Sequence, residues 1–406
     1  MDKSKQKLLI IGITMNSAGT EKSFLSFANC LDYDRFDVDL LLAKKEGAFM
    51  PLIPKQINVI EMEKYGDMFL LSGKNAASTI LRCFFKENPL ILFEILPYFL
   101  KIILSRKKRS AAATRMWCDL MKRHFPEFDG EYDAAIAYWG DRTMFYMADK
   151  VKAKKKIAWL HFDYANPPRD DSIYLPYFMK CDNVVTVSAK VNEALLEKLP
   201  QLNDRAVMME NIQDPKQIWD MALRGDTFPD EHYVGLRLLT IGRISEQKGF
   251  DFIPPVLKRL RDDGYELRWY ILGDGDTASR NALIESALRY GVADMLILLG
   301  TTTNPYSYLR DCDIYVMTSR YEGKPITVEE AKIMYKPIMV TNYLSAAEQL
   351  DNGRLGEICE ISEDGIYEGL KRLIDSPSRR DELTEILGKE NFGNAYEMAK
   401  FYRMVE

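Results

Sequence analysis

No two of the six cysteines (Cys30, Cys83, Cys118, Cys181, Cys312, Cys359) stand at C-x-x-C spacing, so neither a disulfide framework nor a zinc site is indicated. Reduced thiols are expected. Long apolar runs are also missing. The nearest to one, residues 89–104, is about sixteen residues, too short for a bilayer, and is interrupted by Glu94, Pro97 and Lys101. Positive charge is in short supply: 55 Lys and Arg face 60 Asp and Glu, and a net charge of −5 argues against a general nucleic-acid binder. There is no low-complexity tract, and only three histidines occur. The apolar run near the start, Leu8–Gly12, is too short for a signal peptide and reads as a first strand.

What is present is an ordinary globular composition, 47% hydrophobic and 28% charged, in 406 residues. That length accommodates two domains that together bury roughly three quarters of the unfolded surface. Charge is split along the chain. Residues 1–210 carry 31 Lys and Arg against 27 Asp and Glu (+4), and residues 211–406 carry 24 against 33 (−9).

The most informative stretch is 319–332, SRYEGKPITVEEAK. The apolar, β-branched run Ile314–Thr318 before it predicts a buried parallel strand, and helical composition follows from about Pro325 to Tyr335. Pro325 suits a first-turn position, where its missing N–H costs nothing. A strand, a polar turn and a helix N-terminus make a place where an open α/β sheet binds phosphate. Glu322 in the turn and Glu330 eight positions on can both reach one crevice and accept hydrogen bonds from sugar hydroxyls. Both glutamates also suit the helix dipole, and spacing alone leaves the two readings open.

Tyr321-Glu322-Gly323-Lys324-Pro325-Ile326 with Glu329-Glu330-Ala331-Lys332 resembles the Glu-x7-Glu signature of the family 4 retaining glycosyltransferases, in particular bacterial enzymes of capsule, exopolysaccharide and related glycans. The resemblance is strong from about Arg237 to Asn342 and looser before that. It implies the GT-B fold, an α/β architecture of two Rossmann-like domains facing a central cleft. The domains expected are 1–212 for the acceptor, with a helical insertion at about 67–125, and 213–388 for the donor. A terminal helix within 389–406 is expected to pack back on the first domain.

Further positions follow from the resemblance. The loop after the first strand, Ser17-Ala18-Gly19-Thr20, has one glycine where relatives carry two, so Gly19 alone is carried over as a donor contact. His161, at a strand's carboxyl end, corresponds to a histidine beside the donor sugar and is assigned to positioning a donor or acceptor hydroxyl. Trp139 and Asp141 are candidates for acceptor contact. Gly242-Arg243 and Lys248-Gly249 match the diphosphate-binding pair, a guanidinium fork and a point charge on one loop. Gly273 opens a G-x-G-x-x-A run, which reads as a turn lining the donor crevice: it follows the second strand of its unit, and no acid ends the next strand to hold a ribose. Gly300, Thr301 and Asn304 fall where the family meets the nucleobase. Gly323, Lys324, Pro325, Ile326 and Thr327 complete the donor loop. Asp274/Asp276 and Asp311/Asp313 form Asp-x-Asp pairs of a kind that holds a metal in another glycosyltransferase class, yet acids are numerous enough for chance pairs, and no metal is assigned.

The basic cluster Ser105–Arg109 after the apolar run could lie on an anionic membrane surface, each cation contributing about 1 kcal/mol, or be the solvated end of a core-packing helix pair. A cytoplasmic enzyme, peripheral at the inner face of the plasma membrane, is the expected setting. The expected function is metal-independent retaining transfer of a sugar from a nucleotide-diphosphate donor, UDP by family frequency, to a glycan or lipid-linked acceptor, without a bound cofactor. In it Arg243, Lys248, Glu322 and His161 serve the chemistry and Glu330 the ribose. An epimerase or sugar phosphorylase on the same fold, and a non-catalytic nucleotide-sugar binder, are the alternatives.

Overall fold

The computed structural model describes residues 5–16, 19–70, 93–98 and 109–406. Ala18, Cys83 and most of the 89–109 stretch read for membrane contact lie outside the described residues. Among those described, no helix is long and apolar enough to cross a membrane.

The first sheet contains β1 (Gln6–Gly12), β2 (Phe36–Leu42), β3 (Ile57–Glu61), β4 (Glu131–Ala137), β5 (Lys152–Leu160), β6 (Asn183–Thr186) and β7 (Ala206–Met208) in the order 3-2-1-4-5-6-7. The second contains β8 (Leu236–Ile241), β9 (Leu267–Leu272), β10 (Leu296–Gly300), β11 (Ile314–Met317), β12 (Ile338–Thr341) and β13 (Glu357–Cys359) in the order 10-9-8-11-12-13. Every pairing between these strands is parallel. Strands such as Leu8–Ile11 and Ile314–Met317 are apolar without alternation because helices cover both faces of the sheet. In each sheet the strand order reverses beside the first strand, and ligands bind at the carboxyl ends there.

The first lobe's helices are α1 (Gly19–Asn29), α2 (Arg109–His124), α3 (Asp141–Lys150), α4 (Asp171–Phe178) and α5 (Ala189–Lys198). The second lobe has α6 (Pro215–Ala222), α7 (Ile253–Asp262), α8 (Thr277–Tyr290), α9 (Tyr306–Asp311), α10 (Ile326–Ile333), α11 (Ala346–Gln349), α12 (Glu363–Ile374) and α13 (Pro377–Gly388). The chain then crosses back. α14 (Met398–Val405) places Met398, Phe401, Met404 and Val405 in the first lobe's core with Phe27 and Phe36, Phe401 meeting Phe27 edge-on at 4.8 Å.

Local departures from expectation have local causes. The 210–235 stretch between the lobes contains α6, because Asp214 caps it by accepting from the Gln217 amide and Pro215 occupies its first turn. Phe250–Phe252 forms a 3-10 turn, and α7 follows from Ile253. α10 stops at Ile333, two residues short, since Tyr335 takes a φ of 56°.

Candidate functional site

A cleft of about 770 Å³ opens between the lobes at the carboxyl ends of both sheets. From the first lobe Asn16, Gly19, Thr20, Lys22, Phe49, His161 and Asn211 line it. From the second come the loop after β8 (Gly242, Arg243, Ser245, Gln247, Lys248), the ends of β9 and β10 (Gly273, Asp274, Thr301, Thr302), and Glu322 with Lys324–Thr327. Eleven of the seventeen residues singled out above therefore share one wall: Gly19, His161, Arg243, Lys248, Gly273, Thr301, Glu322, Lys324, Pro325, Ile326 and Thr327.

The loop after β8 is shaped by Gly249. It sits at φ 66°, and a Cβ there would come within 2.1 Å of the Thr318 carbonyl oxygen. The Thr318 hydroxyl donates to the Lys248 carbonyl (2.8 Å), tying this loop to the end of β11. Lys248 Nζ then donates to Glu322 Oε1 at 2.7 Å, so one predicted cation and one predicted carboxylate form a pair at the floor of the cleft. Arg243 is exposed in the cleft and makes no ion pair or hydrogen bond among the described residues.

At the start of α10 the amides of Ile326 and Thr327 fall in the first helical turn, where no intrahelical partner exists, and both residues line the cleft. Pro325 contributes only its carbonyl, which accepts from Gln349 Nε2 at 2.9 Å. Gly323 lies close against the first lobe, since a Cβ there would stand 2.8 Å from the His161 carbonyl oxygen. The Ser345 hydroxyl holds the Gly323 carbonyl from behind at 2.6 Å. Lys324 is turned to the lobe boundary. It pairs with Glu210 of the first lobe and lies 3.9 Å from Glu329. Burial opposes its charge, but Glu329 and Glu210 outweigh burial and hold its pKa above the ordinary value.

His161 lies beside Tyr138, with ring centroids 4.6 Å apart, and among the described residues neither ring nitrogen meets a hydrogen-bond partner. Burial pushes its pKa down to about 3, against smaller opposing effects from Asn211 and the Tyr138 main chain. The imidazole is neutral at any physiological pH, able to orient a hydroxyl but not to act as a stored acid.

Six of the predicted residues lie off the cleft wall. Glu330 is almost fully buried behind it, where its Oε1 accepts from the Tyr306 hydroxyl (2.9 Å) and pairs with Lys22. Gly300 lies at the β10 end, and its carbonyl accepts from the Gly273 amide (2.7 Å). The Asn304 amide donates to the Met221 and Arg224 carbonyls at 2.9 and 2.5 Å. Gly323 packs on His161 as described. Trp139 packs on Phe24 and Tyr138, and Asp141 accepts from the Tyr174 hydroxyl at 2.6 Å. The Asp-x-Asp acids have local partners. Asp274 accepts from the Gly275 amide, Asp276 caps α8, Asp311 pairs with Arg310, and Asp313 accepts from the Arg237 amide.

Lys22, which lines the wall, escaped the sequence reading, and so did its neighbour Glu21, a buried carboxyl also in the first turn of α1 but not part of the wall. Burial pushes the Glu21 pKa up to about 7, while its own amide, Trp139 and the Arg243 charge pull the other way. The available signal was their place in the first helical turn after β1, the same signal that marked Gly19.

Residues 235–389 match the family model described as glycosyl transferases group 1. The chain is 26% identical over 173 residues to an uncharacterized glycosyltransferase of Methanocaldococcus jannaschii, a match covering 41% of each protein. It is 25% identical over 191 residues to the N-acetylgalactosamine-N,N'-diacetylbacillosaminyl-diphospho-undecaprenol 4-alpha-N-acetylgalactosaminyltransferase of Campylobacter jejuni, covering 47% of this chain and 48% of that protein. Both matches span less than half the length of those relatives. In structure the whole chain resembles Anabaena Alr3699/HepE, solved in complex with UDP and glucose, with a TM-score of 0.67 at 13% identity over 98% of this chain and 99% of that one. The two facing Rossmann-like lobes are the GT-B fold.

Proposed function

We propose that this chain, whose second lobe belongs to the glycosyl transferases group 1 family, transfers a sugar from a nucleoside diphosphate donor to a glycan or lipid-linked acceptor in bacterial surface polysaccharide synthesis. The observation that carries this reading is the composition of the cleft: Arg243, Lys248 and the first-turn amides of α10 converge on one space, with Glu322 beside them. Such a set fits a diphosphate joined to a polyhydroxylated ring.

In the reaction the bond from the sugar's anomeric carbon to the diphosphate oxygen breaks, and its electron pair leaves with the diphosphate. Arg243, Lys248 and the Ile326 and Thr327 amides stabilise that developing charge. The acceptor oxygen bonds to the anomeric carbon from the face the diphosphate leaves, and its proton passes to the departing phosphate, so configuration is retained. Glu322 accepts from the donor sugar's hydroxyls, and Glu330 meets the ribose. Neutral His161 orients a hydroxyl of the sugar or the acceptor. UDP is the preferred carrier, and no metal takes part. A UDP complex in a protein of the same fold supports the choice of carrier, and a lipid-diphosphate acceptor in a relative supports the choice of acceptor.

The test is a thermal-shift screen of UDP- and GDP-linked sugars, followed by mass spectrometry of products formed with a lipid-diphosphate acceptor in EDTA. Stabilisation by a UDP-sugar and EDTA-resistant transfer are expected. Stabilisation by no nucleotide sugar, or turnover of donor without acceptor, overturns the proposal.

A further inference from the structure

Glu330 is met from three sides. Lys22 of α1 reaches it from the first lobe, Tyr306 of α9 donates to it within the second, and Tyr315 of β11 lies near enough to feel its charge. Both close contacts use one oxygen, Oε1. Oε2 is buried and has no hydrogen-bond partner among the described residues, on a side chain that is 2% exposed. An orphaned buried carboxylate oxygen is costly unless a ligand's donor completes it.

The ammonium of Lys22 has three N–H donors and no acceptor. One serves Glu330 Oε1, and the group stands 4.5 Å from the centroid of the Tyr306 ring, which fixes it over the aromatic face. Lys22 lines the cleft and pairs with Glu330, which is buried behind the wall. A vicinal diol suits this arrangement because each hydroxyl both donates and accepts. One O–H can donate to Oε2 while a lone pair of the same diol accepts from Lys22.

We infer that Lys22 is a donor-binding residue supplied by the first lobe, which with Tyr306 and Glu330 selects the ribose diol of the nucleoside diphosphate. The inference rests on the reading of the cleft as a donor site and extends it. The ribose pocket is divided between lobes, Lys22 on one side and Glu330 with Tyr306 on the other. Tyr306 acts as a positioning residue, since its hydroxyl, with a pKa held well above the usual value by burial and the Glu330 charge, remains a donor to Oε1.

Isothermal titration calorimetry of the full chain tests this with UDP, GDP and their 2′,3′-dideoxy counterparts, on the wild type, Lys22→Met and Lys22→Arg. The wild type is expected to prefer the ribose form of whichever base it binds. Lys22→Met should weaken the ribose form about tenfold while changing the dideoxy form less than twofold, and Lys22→Arg should restore much of the difference. Equal weakening of both forms would make Lys22 merely structural. An unchanged ratio, or tighter binding of the ribose form, would also overturn the inference, the latter by showing that Lys22 obstructs the site. If the wild type binds neither diphosphate, the donor-site reading itself fails, a result distinct from wild-type binding with an unmoved ratio.

Discussion

In the proposed reaction the Lys248–Glu322 ion pair serves chemistry rather than stability. The pair is 2.7 Å apart, with side chains 20% and 10% exposed. A diphosphate entering beside Lys248 adds anionic oxygens to a cation that is already positioned. Lys248→Ala should lower kcat roughly 10²-fold, with a smaller change in donor KM if the charge is felt mainly in the transition state. Steady-state kinetics with varied donor checks this. Glu21 makes a different prediction, about stability. Its carboxyl is raised to about 7 by burial, from an ordinary value of 4.5, so between those pH values the unfolded chain ionises and the folded one does not. The native state therefore loses stability as pH rises through that window. Glu21→Gln should be nearly neutral below pH 4.5 and stabilise by on the order of 3 kcal/mol at pH 8, read as a difference in chemical denaturation between the two pH values. A gain at low pH would contradict the assignment.

At the scale of elements, the joins between strand and helix were the legible part of the sequence. The run Ile314–Met317, the polar turn and Pro325 predicted β11 and α10 because a doubly covered strand is continuously apolar and a helix start tolerates proline. The loop after β8 was legible through the match of Gly242-Arg243 and Lys248-Gly249 to the resembled family's diphosphate-binding pair. The three-residue strands β7 and β13 carry too few residues for any period to register, and α6 was passed over although Asp214-Pro215 is a sound capping pair. Pairings between distant elements were illegible for another reason. Lys22 and Glu330 are 308 positions apart, and nothing local to either specifies the other. One further long-range element contact is testable. Both Glu348 oxygens, on α11, accept from the Ala189 and Lys190 amides (3.0 Å each) at the N-terminus of α5 in the opposite lobe. A carboxylate there satisfies orphan amides and complements the helix dipole. Glu348→Ala should cost about 1 kcal/mol and loosen lobe closure. Small-angle scattering should register this as a larger radius of gyration that donor addition reduces.

Taken as a whole, the molecule is two lobes joined twice. The outgoing connection leaves β7 and enters α6, and the return passes from α13 to α14. The two strands of chain are bonded to each other where they cross. The Gln213 amide donates to Asn394 Oδ1 (2.7 Å), the Glu210 amide to Glu397 Oε2 (3.0 Å), and Asn394 Nδ2 to the Asn211 carbonyl (3.0 Å). α14 then anchors the return in the first lobe's core through Phe401, which is fully buried against Phe27. Cooperative unfolding of the two lobes is expected to depend on this second connection, since among the described residues only two ion pairs join the facing lobes, Lys22–Glu330 and Lys324–Glu210. Phe401→Ala removes an aromatic ring from a packed core and should cost about 3–5 kcal/mol, all of it in the first lobe. Differential scanning calorimetry should then resolve two transitions, the first-lobe transition moving down and the second remaining in place. Added UDP should raise the second-lobe transition, because most of the proposed phosphate contacts belong to that lobe. A single transition that moves down as a unit would show instead that the contacts across the cleft are strong enough to couple the lobes without α14.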